Sequence, residues 1–217
     1  MRYKRHKIKI TRKALKRDSF LEFAGRTAEL FSRYKLRIIA SAALAAIVAV
    51  CLFLYGIYRE KSKSGAFDAL AEAKDVESLV EVSKKYSGLS AGGFALYMAA
   101  NQYYRDGQKQ KSMELFKDFL KSYPLSRLIP NAMLAVGYIE EDNGNYDEAI
   151  NVLNGIVKQF PLNYVCPEAL MFKAGLLEKN GKIHEAVSEY RNLVKSYPAS
   201  LWSREAEAKI FVLETNI

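Results

Sequence analysis

The hydrophobic and polar positions of this chain repeat with a period of 37 residues. In each period, apolar residues recur at helical spacing in two successive segments, which are separated by an Asn-Gly or Asp-Gly pair. Equivalent positions carry the same small residue in successive periods: Ala95, Ala132, Ala169 and Ala206. A repeat of this length predicts stacked supersecondary units.

Glycine and proline predict where the helices of each unit begin and end. Glycine adopts the left-handed conformation that ends a helix, so the pairs at 106–107, 143–144 and 180–181 predict the ends of the first helices. Proline cannot continue a helix but is tolerated in its first turn. Three prolines are therefore expected after second helices (Pro124, Pro161 and Pro198), and two at the starts of first helices (Pro130 and Pro167). Each unit is predicted to be a helical hairpin.

The spacing of small and large residues within a unit resembles the tetratricopeptide repeat. The second unit supplies Gly137, Gly144, Ala149, Leu153 and Pro161, and the third supplies their counterparts 37 residues later. The resemblance covers about 110 residues, although the period exceeds the usual length of about 34. It implies an all-α fold, an α-solenoid of helical hairpins. With a degenerate first unit between residues 65 and 89, the repeat domain is expected at 65–217.

The front of the chain has a different pattern. Residues 38–58 contain no charged side chain, and 21 helical residues span about the 30 Å of a bilayer's hydrocarbon core. A cleaved signal peptide would have a shorter apolar run and a small-residue cleavage site after it. The sequence therefore predicts a single transmembrane helix at 38–58 and a linker at 59–64.

The basic residues are concentrated before the predicted span. Residues 1–37 contain 13 Lys/Arg and three Asp/Glu, whereas the remaining 180 residues are nearly neutral. Because positively charged flanks stay in the cytoplasm, the pattern predicts a cytoplasmic tail and an extracytoplasmic repeat domain. The tail is expected to contact anionic lipid, and no nucleic-acid partner is expected.

Within the tail, residues 19–34 predict an amphipathic helix. Ser19 and Glu22 have the spacing of a capping box, and apolar residues follow at helical spacing: Phe20, Phe23, Leu30, Phe31 and Tyr34. We expect this helix to lie along the inner membrane surface.

The sequence contains no constellation of catalytic residues. Cys51 lies in the predicted span and Cys166 between units, while His6 and His184 have no partners at metal-ligand or nucleophile spacing. We therefore expect no enzyme activity, no cofactor and no metal site.

The inner surface of the stack is the expected binding surface. First helices line the concave side of helical-hairpin solenoids, and one face of these helices combines aromatic, apolar and amide side chains. The candidate partner-binding residues on this face are Tyr97, Asn101, Tyr104, Leu134, Tyr138 and Met171. They are suited to an extended or helical segment of another protein.

The order of the parts resembles the YfgM-like family of membrane-anchored tetratricopeptide proteins. The parts are the basic tail, one span, the short segment Lys-Ser-Lys-Ser-Gly, a half-unit, the repeats and a closing Ala-Lys-Ile-x-x-Leu helix. The resemblance implies an adaptor ancillary to the Sec translocon, whose partners are translocon subunits, periplasmic folding factors and emerging polypeptides.

Two alternatives remain open at the level of the sequence. The aromatic-Pro endings are also similar to those of periplasmic repeat proteins, which implies an envelope-assembly or cell-division scaffold. The basic tail is compatible with a regulator that acts on lipid or nucleic acid.

Overall fold

The computed structural model describes the backbone of residues 12–215 and the side chains of residues 34–37 and 39–215. Within this part of the chain, all the regular structure is helical. The helices are α1 (Arg12–Glu72), α2 (Val76–Lys85), α3 (Ser90–Arg105), α4 (Lys109–Ser122), α5 (Ile129–Asp142), α6 (Tyr146–Gln159), α7 (Cys166–Lys179), α8 (Ile183–Ser196) and α9 (Leu201–Thr215). The chain divides into two compact units, residues 1–60 and residues 61–217.

Helix α1 contains the predicted span. Its segment Tyr34–Glu72 has a mean hydropathy of 2.6 in its most apolar window, none of which is buried. Among the described residues this is the one segment long and apolar enough to cross a bilayer, and its length and composition fit either a membrane span or a signal sequence.

Two expectations about α1 differ from the structure. The predicted linker at 59–64 is helical, because it contains neither proline nor any glycine to stop a helix that is already formed. Ser19 does not begin a helix, since α1 already starts at Arg12. The side chains of the predicted amphipathic helix before Tyr34 lie outside the described residues.

Within residues 61–217, three helical hairpins follow one another: α3–α4, α5–α6 and α7–α8. Asp106, Asn143 and Asn180 are the C-caps of α3, α5 and α7. The glycine after each has a positive φ of 73–80°, as the sequence predicted. At the first of these turns, the Gly107 amide donates to the Tyr104 carbonyl (3.0 Å) and the Gln108 amide to the Tyr103 carbonyl (2.8 Å), which is a Schellman motif.

The core lies between the hairpins, and the aligned small residues are at its centre. Ala95, Ala132, Ala169 and Ala206 have no exposed surface, so adjacent helix backbones approach closely at each of them. Larger side chains fill the space beside them, with Phe116, Leu153 and Tyr190 at equivalent positions of α4, α6 and α8. The buried Ser112 hydroxyl donates to the Ala100 carbonyl (2.8 Å), so this polar group is satisfied within the core.

The two ends of the stack are closed differently. At the C-terminal end, α9 packs on α8 and α7, and Ile210 and Leu213 contact the core of the last hairpin. At the other end, residues 66–73 of α1 and helix α2 cover the start of α3 through Leu79 and Val82. The structure therefore confirms the predicted solenoid of helical hairpins.

Candidate partner-binding surface

Tyr97 and Asn101 lie on α3 beside an open cavity. The Tyr97 ring contacts Phe116 and Phe119 of α4, with centroid distances of 5.8 and 5.7 Å. Burial raises the pKa of the Tyr97 hydroxyl above its usual value. The Asn101 amide donates to the Tyr97 carbonyl (2.8 Å). Both side chains are half-buried, so each presents only part of its surface to a partner.

Tyr104 and Tyr138 connect successive hairpins. The Tyr104 hydroxyl donates to Asp142 (3.0 Å) and the Tyr138 hydroxyl donates to Glu168 (2.8 Å). Tyr138 also stacks on Phe172, at a centroid distance of 4.3 Å. Burial, followed by the neighbouring carboxylates, raises the pKa of Tyr104 to about 12 and that of Tyr138 further still. Both hydroxyls therefore remain protonated and serve as donors between repeats.

Leu134 and Met171 were predicted to bind a partner, but the structure buries both side chains. Leu134 is 7% exposed and belongs to the core between α5, α6 and α7. Met171 is 8% exposed and packs in the core that α9 completes through Ala206. Each residue is on the correct helix, but a neighbouring helix covers its side chain.

The acidic ends of the first helices are paired within the stack. Glu141 of α5 forms an ion pair with Lys179 of α7. Glu178 of α7 forms one with Lys209 of α9 (3.1 Å) and accepts a hydrogen bond from the Tyr190 hydroxyl (3.0 Å). These carboxylates hold successive helices together, so the acidic ends of the first helices have a structural role.

The predicted binding surface is open beside α2, which is shorter than the equivalent helices α4, α6 and α8. Helices α4, α6 and α8 begin 37 residues apart and contain 14 residues each, whereas α2 contains 10. The end of α2 at Lys85 is in register with the ends of the others, so the missing four residues belong to its first turn. The reciprocal hydrogen bonds of Asp75 and Ser78 form a capping box that begins α2 at this late position.

A cavity of about 680 Å³ lies beside this late start of α2. One wall consists of residues 73–77 and Leu79, and the other is the C-terminal half of α3. The residues of α3 in this wall are Tyr97, Met98, Asn101, Gln102 and Arg105, and the turn after α3 adds Asp106 and Gln108. We call this cavity, together with Phe94 one turn earlier on α3, the α2–α3 groove.

The α2–α3 groove has exposed apolar side chains toward one end and polar groups toward the other. Phe94 and Met98 are 43% and 38% exposed and are four residues apart, so they share one face of α3. Farther along, Arg105 donates to Gln102 (2.7 Å), whose amide donates to Asp106 (2.9 Å). An apolar side chain and a polar backbone can both find partners here.

The opposite wall carries Lys74, Asp75 and Glu77. The Ser78 backbone amide and hydroxyl hold the pKa of Asp75 below its usual value, so this carboxylate is ionised at neutral pH. Charges of both signs therefore flank the groove. Among the residues that the structure describes, no three His, Cys, Asp or Glu side chains form a group that could hold a metal ion.

Sequence reasoning did not select Met98, Gln102 or Arg105 as site residues. The signal was present, because Met98 and Arg105 follow Phe94 at intervals of four and eleven, which place them on one helical face. The other half of the signal was the Asp-x-x-Ser sequence at 75–78, which predicts the late start of α2.

Comparison with protein families relates the hairpins to known repeats. Residues 97–164 and 137–200 match the tetratricopeptide repeat. The two matches together extend over a little less than half of the chain and include α4 to α8. A comparison with curated proteins found no match.

Solved structures show the same fold at low sequence identity. A tetratricopeptide repeat protein from Parabacteroides merdae is 17% identical with a TM-score of 0.55, covering 72% of this chain and 60% of that protein. PcrH from Pseudomonas aeruginosa is 15% identical with a TM-score of 0.50, covering 58% and 93%. PcrH in complex with the chaperone binding region of PopD is 16% identical with a TM-score of 0.51, covering 59% and 96%. The hairpins are therefore tetratricopeptide-like, a class of repeat that binds other proteins.

Proposed function

We propose that this chain is a membrane-anchored adaptor that binds a segment of another protein in the α2–α3 groove, outside the cytoplasm. The open groove carries the proposal. It is the place on the inner surface where apolar side chains of a first helix are exposed, and it adjoins a cavity of about 680 Å³.

The chemistry of the groove favours a polypeptide. Phe94 and Met98 offer apolar surface for one or two side chains, and methionine adapts to partners of different shape. The amides of Asn101 and Gln102 and the guanidinium of Arg105 supply hydrogen-bonding groups for a peptide backbone. The mixed charges of the walls do not favour a strongly acidic or strongly basic segment.

The similar fold of PcrH gives a precedent for this mode of binding. PcrH has been solved in complex with the chaperone binding region of PopD, a segment of another protein. The sequence identity of 16% supports a shared fold only, and the crosslinking experiment below is designed to find which segment this chain binds.

The membrane anchor rests on the apolar segment of α1 and on the charge asymmetry. With 13 basic residues before the span, the tail remains in the cytoplasm and the repeats are translocated. We infer that the adaptor works beside the Sec translocon and periplasmic chaperones, as the architectural resemblance implies. A reporter enzyme that is active only outside the cytoplasm, fused after Ile217, is expected to be active. A silent reporter in a stable fusion would contradict this topology.

Photocrosslinking tests the groove directly. A photoreactive amino acid replaces Met98 in the full chain, and captured proteins are identified by mass spectrometry. The matched control carries the same amino acid at Phe211, which is 71% exposed on α9. We expect capture of a defined set of proteins from position 98 only.

The identity of the captured proteins separates the proposed settings. Translocon subunits, periplasmic chaperones or emerging polypeptides support the adaptor described here. Capture of envelope-assembly or cell-division proteins would instead indicate that the chain is a scaffold for those processes. Equal capture of the same proteins from both positions would show that the groove is not the binding surface.

A further inference from the structure

The turns between hairpins form a continuous edge of the stack. The Gly88 amide donates to the Tyr123 hydroxyl (3.2 Å), and the Tyr197 hydroxyl donates to the Pro161 carbonyl (2.7 Å). Between them, the Asn131 amide at the start of α5 donates to the Tyr164 hydroxyl (2.7 Å). We call residues 84–89, 121–128, 158–165 and 195–202, which include these turns, the turn edge.

A lysine occurs at the same position in each segment of the turn edge. The four residues are 37 apart and all are exposed: Lys84, Lys121, Lys158 and Lys195. Lys85 and Arg127 bring the number of basic residues to six, and the four segments contain no Asp or Glu. Among the residues that the structure describes, no carboxylate forms an ion pair with the four repeated lysines.

Large apolar side chains project from the same edge. Leu125 and Leu162 are 97% and 98% exposed, and they occupy equivalent positions after the prolines. Tyr164 and Leu201, which are also equivalent, are 75% and 76% exposed. Leu125 and Leu162 bury almost nothing in the stack, and Tyr164 and Leu201 bury only about a quarter of their surface. Packing of the repeat domain therefore accounts for little of this apolar surface.

The opposite edge of the hairpins has a different composition. The segments around the turns within hairpins, residues 103–110, 140–147 and 177–184, contain six acidic and four basic residues and no exposed leucine. A lysine in the last turn of a helix complements the helix dipole, which accounts for one basic residue in each second helix. The dipole does not account for the exposed leucines and tyrosine beside these lysines.

We propose that the turn edge contacts an anionic lipid surface. Peripheral segments that lie at a membrane interface have this composition, in which Lys and Arg stand next to protruding Leu and Tyr side chains. The cations attract acidic headgroups while the apolar side chains enter the interfacial region. An anionic surface complements the charge of each of the four segments, since each contains a lysine and no Asp or Glu. The chain also carries a candidate span, which would keep its repeats near a bilayer.

This inference goes beyond the α2–α3 groove and does not require a protein partner. It shares with the proposed function only the membrane anchor. The turn edge would orient the repeats on the bilayer, so that binding by the groove takes place at a fixed height above the membrane.

A depth-dependent fluorescence measurement on the full chain tests the contact. Ala199, the exposed equivalent of Leu125 and Leu162, is replaced by cysteine and labelled with an environment-sensitive fluorophore. Gln110, on the opposite edge, is labelled in a matched control. Both variants carry Cys51→Ala and retain the buried Cys166, and a chain without the added cysteine measures background labelling.

The labelled chains are reconstituted in vesicles of phosphatidylcholine alone or with phosphatidylglycerol, each with brominated acyl chains as quencher. We expect several-fold stronger quenching at position 199 than at position 110, in phosphatidylglycerol vesicles only. Raising the salt concentration from 0.1 to 1 M shortens the Debye length from about 10 to about 3 Å and should weaken this quenching.

Charge variants identify the lysines as the cause. The triple change Lys121→Gln, Lys158→Gln and Lys195→Gln is compared with Lys109→Gln, Lys111→Gln and Lys182→Gln, which lie on the opposite edge or directly next to it. Each lysine near an anionic surface contributes about 5-fold to the affinity of a segment for the membrane. The first triple variant should therefore weaken the affinity of the turn edge for lipid by up to about 100-fold, and the second should change it little.

Three outcomes would overturn the proposal. They are equal quenching at both positions, quenching independent of lipid charge, and quenching unchanged by the first triple variant. If the first triple variant instead loses a crosslinked acidic protein and no quenching occurs, the turn edge is a protein-docking surface and not a lipid contact.

Discussion

Helices α3 and α7 occupy the same place in their hairpins but present different surfaces. In α3, Phe94 and Met98 are exposed beside the α2–α3 groove. In α7, Met171 and Leu177 are buried. The difference arises from the neighbours, because α9 packs on the last hairpin and α2 lacks the turn that would cover α3. The neighbouring helix therefore decides which side chains of a first helix stay exposed.

The largest expected contrast is between the two methionines. Met171→Ala removes a buried side chain and leaves a cavity, which should lower the free energy of unfolding by about 2–5 kcal/mol. Met98→Ala removes a side chain that is more than one-third exposed and should change it by less than about 1 kcal/mol. Urea unfolding of the full chain in detergent measures both. Equal losses would contradict the proposed difference in burial.

The glycines of the two helices should respond to alanine with opposite signs. A Cβ at Gly92 of α3 would lie 2.8 Å from the Tyr86 carbonyl carbon, so Gly92→Ala should cost about 1–3 kcal/mol. A Cβ at Gly175 of α7 would lie 3.9 Å from the Tyr190 hydroxyl, in ordinary contact. Gly175→Ala should therefore stabilise the protein by about 0.5–1 kcal/mol.

Thermal or urea unfolding of the two alanine variants gives the test. A destabilised Gly175→Ala chain would show that the space beside α7 is smaller than the structure indicates. An unaffected Gly92→Ala chain would show that α3 is not held against the end of α2.

The smallest expected effect concerns the hydrogen bond that joins α3 to α5. The pKa of Tyr104 is raised from about 10 in the unfolded chain to about 12 in the folded protein, so folding favours the protonated hydroxyl. The contribution of this pKa difference to the free energy of unfolding is complete below pH 10 and is lost as the pH rises toward 12. Because the site is partly exposed, the contribution should be less than about 1 kcal/mol.

Tyr104→Phe should reduce the loss of stability between pH 10 and 12, as measured by urea unfolding at each pH. Tyr103→Phe, on the same helix, is the control. An unchanged pH profile in Tyr104→Phe would show that the bond to Asp142 does not persist in solution.

The sequence predicted the hairpins because their signals are local. Asn143 and Gly144 determine a helix end through the conformation of two residues, and Pro130 determines a start through its missing amide. Such constraints act within a few residues and can be read without a structure. The same is true of the apolar segment in α1.

The binding surface was harder to predict because it depends on contacts between distant residues. Leu134 and Met171 have the spacing of inner-face residues, but their burial is decided by helices that follow later in the chain. Tyr97 and Asn101 line the open cavity, and their role in binding a partner stays a prediction. The late start of α2 was marked locally by Asp75 and Ser78, and it is what opens the cavity.

The most direct test of the adaptor is the affinity of the full chain for a segment captured by crosslinking at position 98. The variant Phe94→Ala, Met98→Ala is compared with Phe211→Ala, which removes an equally large exposed side chain from α9. We predict a loss of at least about 10-fold in affinity for the double variant and none for the control. Unchanged affinity in a folded double variant would contradict binding in the α2–α3 groove.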